Sequence, residues 1–188
     1  MIRRHISQYI ELNDEQFDYF LSLTTSRKLR KKQYLLQAGE VCRYESFVTK
    51  GCLRAYSIDE KGKEHIVQFA TEDWWIADLN SFLTQTPAFY NIDALEDSEL
   101  IQIEKNALEQ IYSCLPQFER FFRIKIQKAF TSLQSRLNES LSGTATDRYL
   151  SFISKYPSFE QRLPQHQVAS YLGISAEFLS KIRQNLSK

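Results

Sequence analysis

Cysteine is scarce in this chain. Cys42, Cys52 and Cys114 are the only three among 188 residues. So small and odd a set excludes a disulfide framework. Histidine is as rare, at positions 5, 65 and 166, and no pair has the spacing of metal ligands. Gly-x-Ser-x-Gly, His-Glu-x-x-His and P-loop motifs are absent, so no enzymatic activity is expected. No apolar run approaches the ~20 residues that cross a bilayer, and Met1–Ile6 lacks the apolar stretch of a secretory signal. A soluble cytoplasmic protein without a membrane partner is therefore expected. Charge bias is missing too: 24 Lys and Arg face 23 Asp and Glu, a net charge of +1. Taken alone, that balance speaks against nucleic acid.

Glycine is also rare, which makes each one informative. Gly39, Gly51 and Gly62 punctuate a region rich in β-branched and aromatic residues. Segments 33–37, 46–50, 52–58, 64–70, 91–94 and 99–103 read as short strands. Asp59-Glu60-Lys61-Gly62-Lys63 reads as a hairpin turn between two of them. Short strands at regular intervals predict a sandwich or barrel. Before them, residues 2–24 read as helical, with Asn13 or Asp14 as an N-cap. After them, 106–112 is a short helical stretch, and Pro116 can open a new helix.

From Gln117 to Ser142 there is neither glycine nor proline. Phe118, Phe122, Ile126, Ala129, Leu133 and Leu137 recur at spacings of three and four, the apolar stripe of one long helix. Phe121, Ile124, Phe130 and Leu141 broaden it. That breadth predicts pairing with a second chain as well as with its own domain. Dividing the chain at this helix also resolves the charge. Residues 1–116 carry 13 basic and 18 acidic side chains, net −5; residues 117–188 carry 11 and 5, net +6. An acidic module joined to a basic one is a nucleic-acid signal that the total conceals.

Residues 165–183 supply the matching motif. Ala169 is small where a second helix must approach, and Gly173 suits a tight turn. Val168, Leu172, Ile174, Leu179 and Ile182 fall where a miniature core is needed. Ser175 can cap the second helix, and Glu177 lies in its first turn. This is the pattern of a helix-turn-helix. Its second helix would present Ser175, Ala176, Glu177, Ser180, Lys181 and Gln184 to the major groove. Glu177 suits cytosine N4, and Lys181 suits guanine N7 and O6. Arg183, Lys188, Gln165 and His166 are candidate phosphate contacts.

With these parts in order, the chain resembles the Crp/Fnr family of bacterial transcription regulators. The likeness rests on Tyr34-Leu35-Leu36-Gln37-Ala38-Gly39-Glu40, Phe47-Val48-Thr49-Lys50-Gly51-Cys52-Leu53-Arg54, Gly62-Lys63-Glu64, Glu72-Asp73-Trp74-Trp75-Ile76 and the C-terminal motif. It implies an α+β chain in three parts. Residues 1–115 would form a cyclic-nucleotide-binding-like β-roll (a jelly roll with flanking helices), 116–142 a dimerisation helix, and 143–188 a helix-turn-helix DNA-binding domain. It further implies a homodimer on double-stranded DNA, with a small-molecule effector and RNA polymerase as further candidate partners.

The departures bear on the effector. Family members that bind cyclic nucleotide use a Gly-Glu-Leu turn, with an arginine about ten residues later for the phosphate. Here the turn is Ala77-Asp78-Leu79, and neither Arg nor Lys occurs between Leu79 and Glu104. A buried phosphate without a counter-charge costs several kcal/mol, so no cofactor is expected and cyclic nucleotide is not expected in the usual manner. Binding through altered contacts is the alternative. Trp75, Ala77, Asp78, Leu79, Phe82, Phe89 and Tyr90 form a candidate pocket for an apolar or neutral ligand, unless they simply fill the core. Three cysteines do not support an iron–sulfur cluster, and His65 and Cys52 as haem ligands read better as structural residues. A metal enzyme of the cupin type would need a His and carboxylate cluster that three scattered histidines do not offer. The recognition helix runs to Lys188, so the family's usual wing is not expected, and the salt dependence of DNA binding should be correspondingly shallow.

Overall fold

The computed structural model describes residues 1–186. The chain divides into two compact units. The first comprises Met1–Ser57 and Val67–Ile126; the second comprises Ile58–Ile66 and Gln127–Lys188.

The first unit opens on two helices, α1 (Ile2–Ile6) and α2 (Asp14–Ser22). The stretch 2–24 that reads as helical thus holds two helices, the second starting at the Asn13 cap that the sequence offers. Asn13 starts α2 with a capping box: its side chain accepts from Gln16 N at 2.8 Å, and the Gln16 side chain accepts from Asn13 N at 3.1 Å. Such a cap marks a helix beginning, so the run cannot be continuous there. Eight strands follow: β1 (Thr24–Leu29), β2 (Tyr34–Leu36), β3 (Tyr44–Lys50), β4 (Leu53–Ile58), β5 (Glu64–Ala70), β6 (Trp75–Ile76), β7 (Asn91–Ala94) and β8 (Ser98–Glu104). They form two four-stranded sheets, ordered β1-β8-β3-β6 and β2-β7-β4-β5. Consecutive strands alternate between sheets except β4 and β5, which are neighbours in the second, as in a β-roll.

Pairing is antiparallel, with Thr24 opposite Ile103, Phe47 opposite Ile101 and Leu53 opposite Ala94. Phe47, Val48, Leu53, Ile92, Leu100 and Ile103 are buried in one core. Between β6 and β7 lies α3 (Leu79–Thr84), and after β8 comes α4 (Lys105–Cys114). The long helix α5 runs over Gln117–Ser142. Its first turns bring Phe118, Phe121 and Phe122 into the same core, where Phe118 stacks on Phe20 at 4.8 Å between ring centroids. Lys125 fixes this end of α5. Its ammonium lies 2.7 Å from Glu45 Oε2, a carboxylate on β3, and 4.7 Å from the centre of the Trp75 ring.

The second unit contains the rest of α5, then α6 (Ala145–Lys155), α7 (Phe159–Arg162), α8 (Gln165–Leu172) and α9 (Ala176–Leu186). Tyr149, Phe152, Phe159, Leu163, Val168, Ala169, Leu172, Leu179 and Ile182 are its buried apolar residues. Arg148 ties the elements together, donating from Nε to Leu172 O at 3.1 Å and from Nη1 to Gly143 O at 3.0 Å. A cation on the last carbonyls of α8 suits the negative end of that helix. The Ile58–Ile66 segment also belongs here. Ser170 Oγ donates to Glu64 O at 2.7 Å and accepts from Ile66 N at 3.2 Å.

Candidate nucleic-acid interface and sensor cradle

Helices α8 and α9 make the motif that the sequence predicts. Gly173 joins them at φ +70° and ψ +32°, a left-handed conformation that glycine adopts without strain. Its N–H bonds Ser170 O at 3.2 Å, and Ile174 N bonds Ala169 O at 3.0 Å, so the end of α8 is closed within the turn. Ser175 caps α9, its hydroxyl accepting from Phe178 N at 3.2 Å. Of the expected miniature core, Val168, Leu172, Leu179 and Ile182 are buried and Ile174 is half-buried.

The polar residues fall on the other side. Ser175, Glu177, Lys181 and Gln184 are exposed, as are Gln165 and His166 at the start of α8. Ala176, Ser180 and Arg183 are half-buried. The Glu177 carboxyl is held below the usual glutamate range by its own backbone N–H and by the Ser175 hydroxyl. It is therefore an anion at neutral pH, able to accept but not to donate. Lys188 lies outside the described residues.

The long helix carries two kinds of apolar residue. Phe118 and Phe122 are 0% and 3% exposed in the core of their own chain. That corrects their assignment to a pairing surface: a single stripe serves the roll in its first turns and is open only beyond them. Ile126, Leu133 and Leu137 are exposed, and Phe130 and Leu141 extend the same open face. Ala129 is exposed as well.

The expected aromatic pocket does not form. Trp75 packs against Phe47, Phe121 and Phe122 in the core, and Phe82 is a buried residue of α3. Phe89 is 70% exposed and meets Tyr90 edge-on. Leu79 is half-buried at the start of α3. Ala77 alone of the seven lines the roll's cavity, a space of about 150 Å³ that Leu36, Cys42, Ser46, Ile92 and Gln102 also line. Arg27, Glu40 and Arg43 line it too, while Gln102 Nε2 donates to Ser46 Oγ at 3.0 Å and burial pushes the Cys42 thiol up, keeping it neutral.

Asp78 does something the sequence reading did not foresee. It is 3% exposed and is the N-cap of α3, with Oδ1 accepting from Ser81 N at 3.0 Å. Its Oδ2 accepts from Phe89 N at 2.9 Å and Tyr90 N at 3.2 Å. Three backbone donors from two segments thus converge on one carboxylate. An Asp directly before a short helical run is the signal that could have revealed the cap. Arg54 is also committed, making a bidentate pair with Asp93 at 2.8 and 3.0 Å. The Asp78 carboxylate thus already holds backbone donors at the start of α3 and β7, and the buried Arg54 already has a carboxylate. His65 pairs instead with Asp59 at 2.7 Å on its exposed hairpin, and Cys52 is buried. Among the described residues, no three His, Cys, Asp or Glu side chains form a metal site. No helix among them is long and apolar enough to cross a membrane.

A double-sheeted roll, a long helix and a helix-turn-helix together define a class of DNA-binding transcription regulators with a sensor-type domain. Residues 26–113 match the family of the cyclic nucleotide-binding domain. The chain is 23% identical over 189 residues to the anaerobic regulatory protein of Pasteurella multocida, covering 94% of this chain and 68% of that protein. In fold it is similar to FixK2 of Bradyrhizobium japonicum, with a TM-score of 0.74 at 18% identity over 87% of this chain and 84% of that one. It is also similar to the c-di-GMP responsive regulator CLP of Xanthomonas campestris, with a TM-score of 0.73 at 17% identity over 93% and 92%. Over most of its length the chain is thus similar to transcription regulators of the Crp/Fnr type.

Proposed function

We propose that the protein is a homodimeric, sequence-reading regulator, not an enzyme, and that its roll does not take cyclic nucleotide in the usual manner. In this reading residues 1–115 are the sensor-type domain, 116–142 pair two chains and 143–188 touch DNA. The observation that carries it is α9, which turns Leu179 and Ile182 inward and leaves Glu177, Lys181 and Gln184 exposed behind the Ser175 cap. That is the geometry of a helix laid in the major groove, with its first turns toward base edges. Phosphate contacts from Gln165, His166 and Arg183 fix its register without reading sequence. The pairing face is Ile126, Ala129, Leu133 and Leu137, joined by Phe130 and Leu141. RNA polymerase remains a candidate partner on the family's account alone.

Selection of bound duplexes from a random pool, followed by gel shift against salt, tests this reading. Binding to a two-fold-related sequence with half-sites one turn (~34 Å) apart is expected. Lys181→Ala should cost about 1–3 kcal/mol and relax the preference at one base in each half-site. Failure to bind any duplex at low salt overturns the proposal. Asp78 supports the sensor half of the reading: calorimetry with cyclic AMP and cyclic GMP should give no heat, and micromolar binding would establish the altered-contact alternative.

A further inference from the structure

The interior of the roll is polar on one side, where the core between two sheets is ordinarily apolar. Gln102 on β8, Ser46 on β3 and Ile76 on β6 stand opposite one another in register across one sheet. In the other sheet Leu36 on β2 stands opposite Ile92 on β7. All five are buried, and all five line the cavity of about 150 Å³. The cavity is therefore amphipathic, with an amide and a hydroxyl set among aliphatic walls. A buried polar side chain is the informative exception in a core, and Gln102 and Ser46 are 5% and 1% exposed. Their mutual bond uses one amide hydrogen, and the Ser46 hydroxyl keeps its own hydrogen to donate. The charged lining residues mark the open side: Arg43 and Glu40 are exposed and Arg27 is half-buried. Glu40 Oε2 accepts from Gln37 N at 3.0 Å, and Arg27 Nη2 lies 3.5 Å from Tyr34 O. Among the described residues, neither guanidinium forms an ion pair with a carboxylate.

Guanidinium groups at the open side suit a carboxylate, which they bind through parallel N–H bonds, and the buried side suits a hydrocarbon. An engineered cavity of about 150 Å³ admits benzene, so the apolar body has room for about six carbons. We infer that the space between the two sheets binds a small monocarboxylate, its carboxylate toward Arg27 and Arg43 and its hydrocarbon body against Leu36, Ile76, Ala77 and Ile92. Two cations and the one carboxylate of Glu40 leave a single positive charge in the lining, which a monoanion neutralises. Asp78, Phe89 and Tyr90 are not among the lining residues, so the site is separate from the cradle around Asp78. Ile76 follows Trp75, whose ring packs on Phe121 and Phe122. A ligand against Ile76 therefore lies one residue from the contact that seats the start of α5. The inference names a ligand for the sensor-type domain of the proposed function and does not rest on DNA binding.

Sodium hexanoate titrated into the full chain without DNA, against sodium chloride of equal ionic strength, tests the inference by calorimetry and thermal shift. One site per chain and a raised melting temperature are expected. Hexan-1-ol, of the same length without the charge, should bind about 10-fold more weakly, the loss of one charge-assisted contact. Arg43→Met should weaken hexanoate by about the same factor and leave hexan-1-ol unchanged. Arg43 is exposed, so this variant should fold. Ala77→Leu narrows the cavity and should abolish binding of both, with circular dichroism checking its fold. If hexanoate acts no differently from chloride, if the alcohol binds as tightly as the acid, or if either variant binds hexanoate as the unaltered chain does, the inference is wrong. Each result is read without DNA, so failure here leaves the DNA-binding reading standing, and failure to bind any duplex leaves this inference standing.

Discussion

Asp78 gathers donors from the first turn of α3 and from the start of β7 onto one buried side chain. Its replacement should therefore be felt in two places. Asp78→Ala leaves three N–H groups without an acceptor and is expected to destabilise the protein by roughly 3 kcal/mol, the usual cost of losing a charged acceptor from buried donors. Asp78→Asn keeps one amide oxygen and should lose less. Urea denaturation checks both, and an unchanged midpoint in Asp78→Ala would show that the carboxylate holds nothing. At this scale the sequence was half legible. The missing arginine could be read directly, since an absent charge needs no geometry. The inward turn of Asp78 could not, because it depends on where the 89–90 backbone returns, some ten residues along the chain.

Elements were legible where burial shows in their apolar content and obscure where they bury little or change partner along their length. Segments 64–70 and 91–94 match β5 and β7, and their apolar content reflects burial in the roll. β1, Thr24-Thr25-Ser26-Arg27-Lys28-Leu29, was missed because it lies at a sheet edge and buries only Leu29. Such a strand carries no alternation to read. In α5 the period was right, but the stripe changes partner near Ile126, and spacing does not say which neighbour each turn meets. α6 was not read from the sequence, although Thr144 with Asp147 three residues on carries the spacing of a capping box. Thr144 and Asp147 form a reciprocal cap: Asp147 N donates to Thr144 Oγ1 at 3.1 Å, and Thr144 N donates to Asp147 Oδ2 at 3.0 Å. The Asp147 carboxyl is held below the usual aspartate range, first by the Thr144 hydroxyl and then by its backbone N–H. A carboxyl depressed in the folded state stabilises above its unfolded value, and that contribution is lost as pH falls through the folded one. Carbon-detected NMR titration should place the Asp147 midpoint below that of a free aspartate. In Thr144→Val the midpoint should return upward, and amides of the first turn of α6 should exchange faster at neutral pH.

For the whole molecule the decisive quantities are charge and the open face of α5. The neutral total divides into an acidic first part and a basic second part, so the attraction for a polyanion is confined to the part that carries α9. Attraction of that kind is lost as salt rises, in proportion to the phosphates neutralised. The apolar face sets the second quantity. Phe130, Leu133, Leu137 and Leu141 are 56–78% exposed, four large side chains along one helix. So regular an apolar strip is unusual for a monomer, and its three-and-four spacing is that of a helix pair. Two reading helices joined in this way bind a two-part site with an effective concentration that a single one lacks. Leu133→Glu with Leu137→Glu places like charges across the pairing face without touching the buried core. Sedimentation should then give a monomer with an unchanged circular dichroism spectrum. Affinity for the full two-part site should fall by about 100-fold, at the low end for lost bivalency, whereas affinity for an isolated half-site should stay as it was. A variant that sediments as the dimer, or a half-site that weakens as much as the full one, would remove α5 as the pairing element.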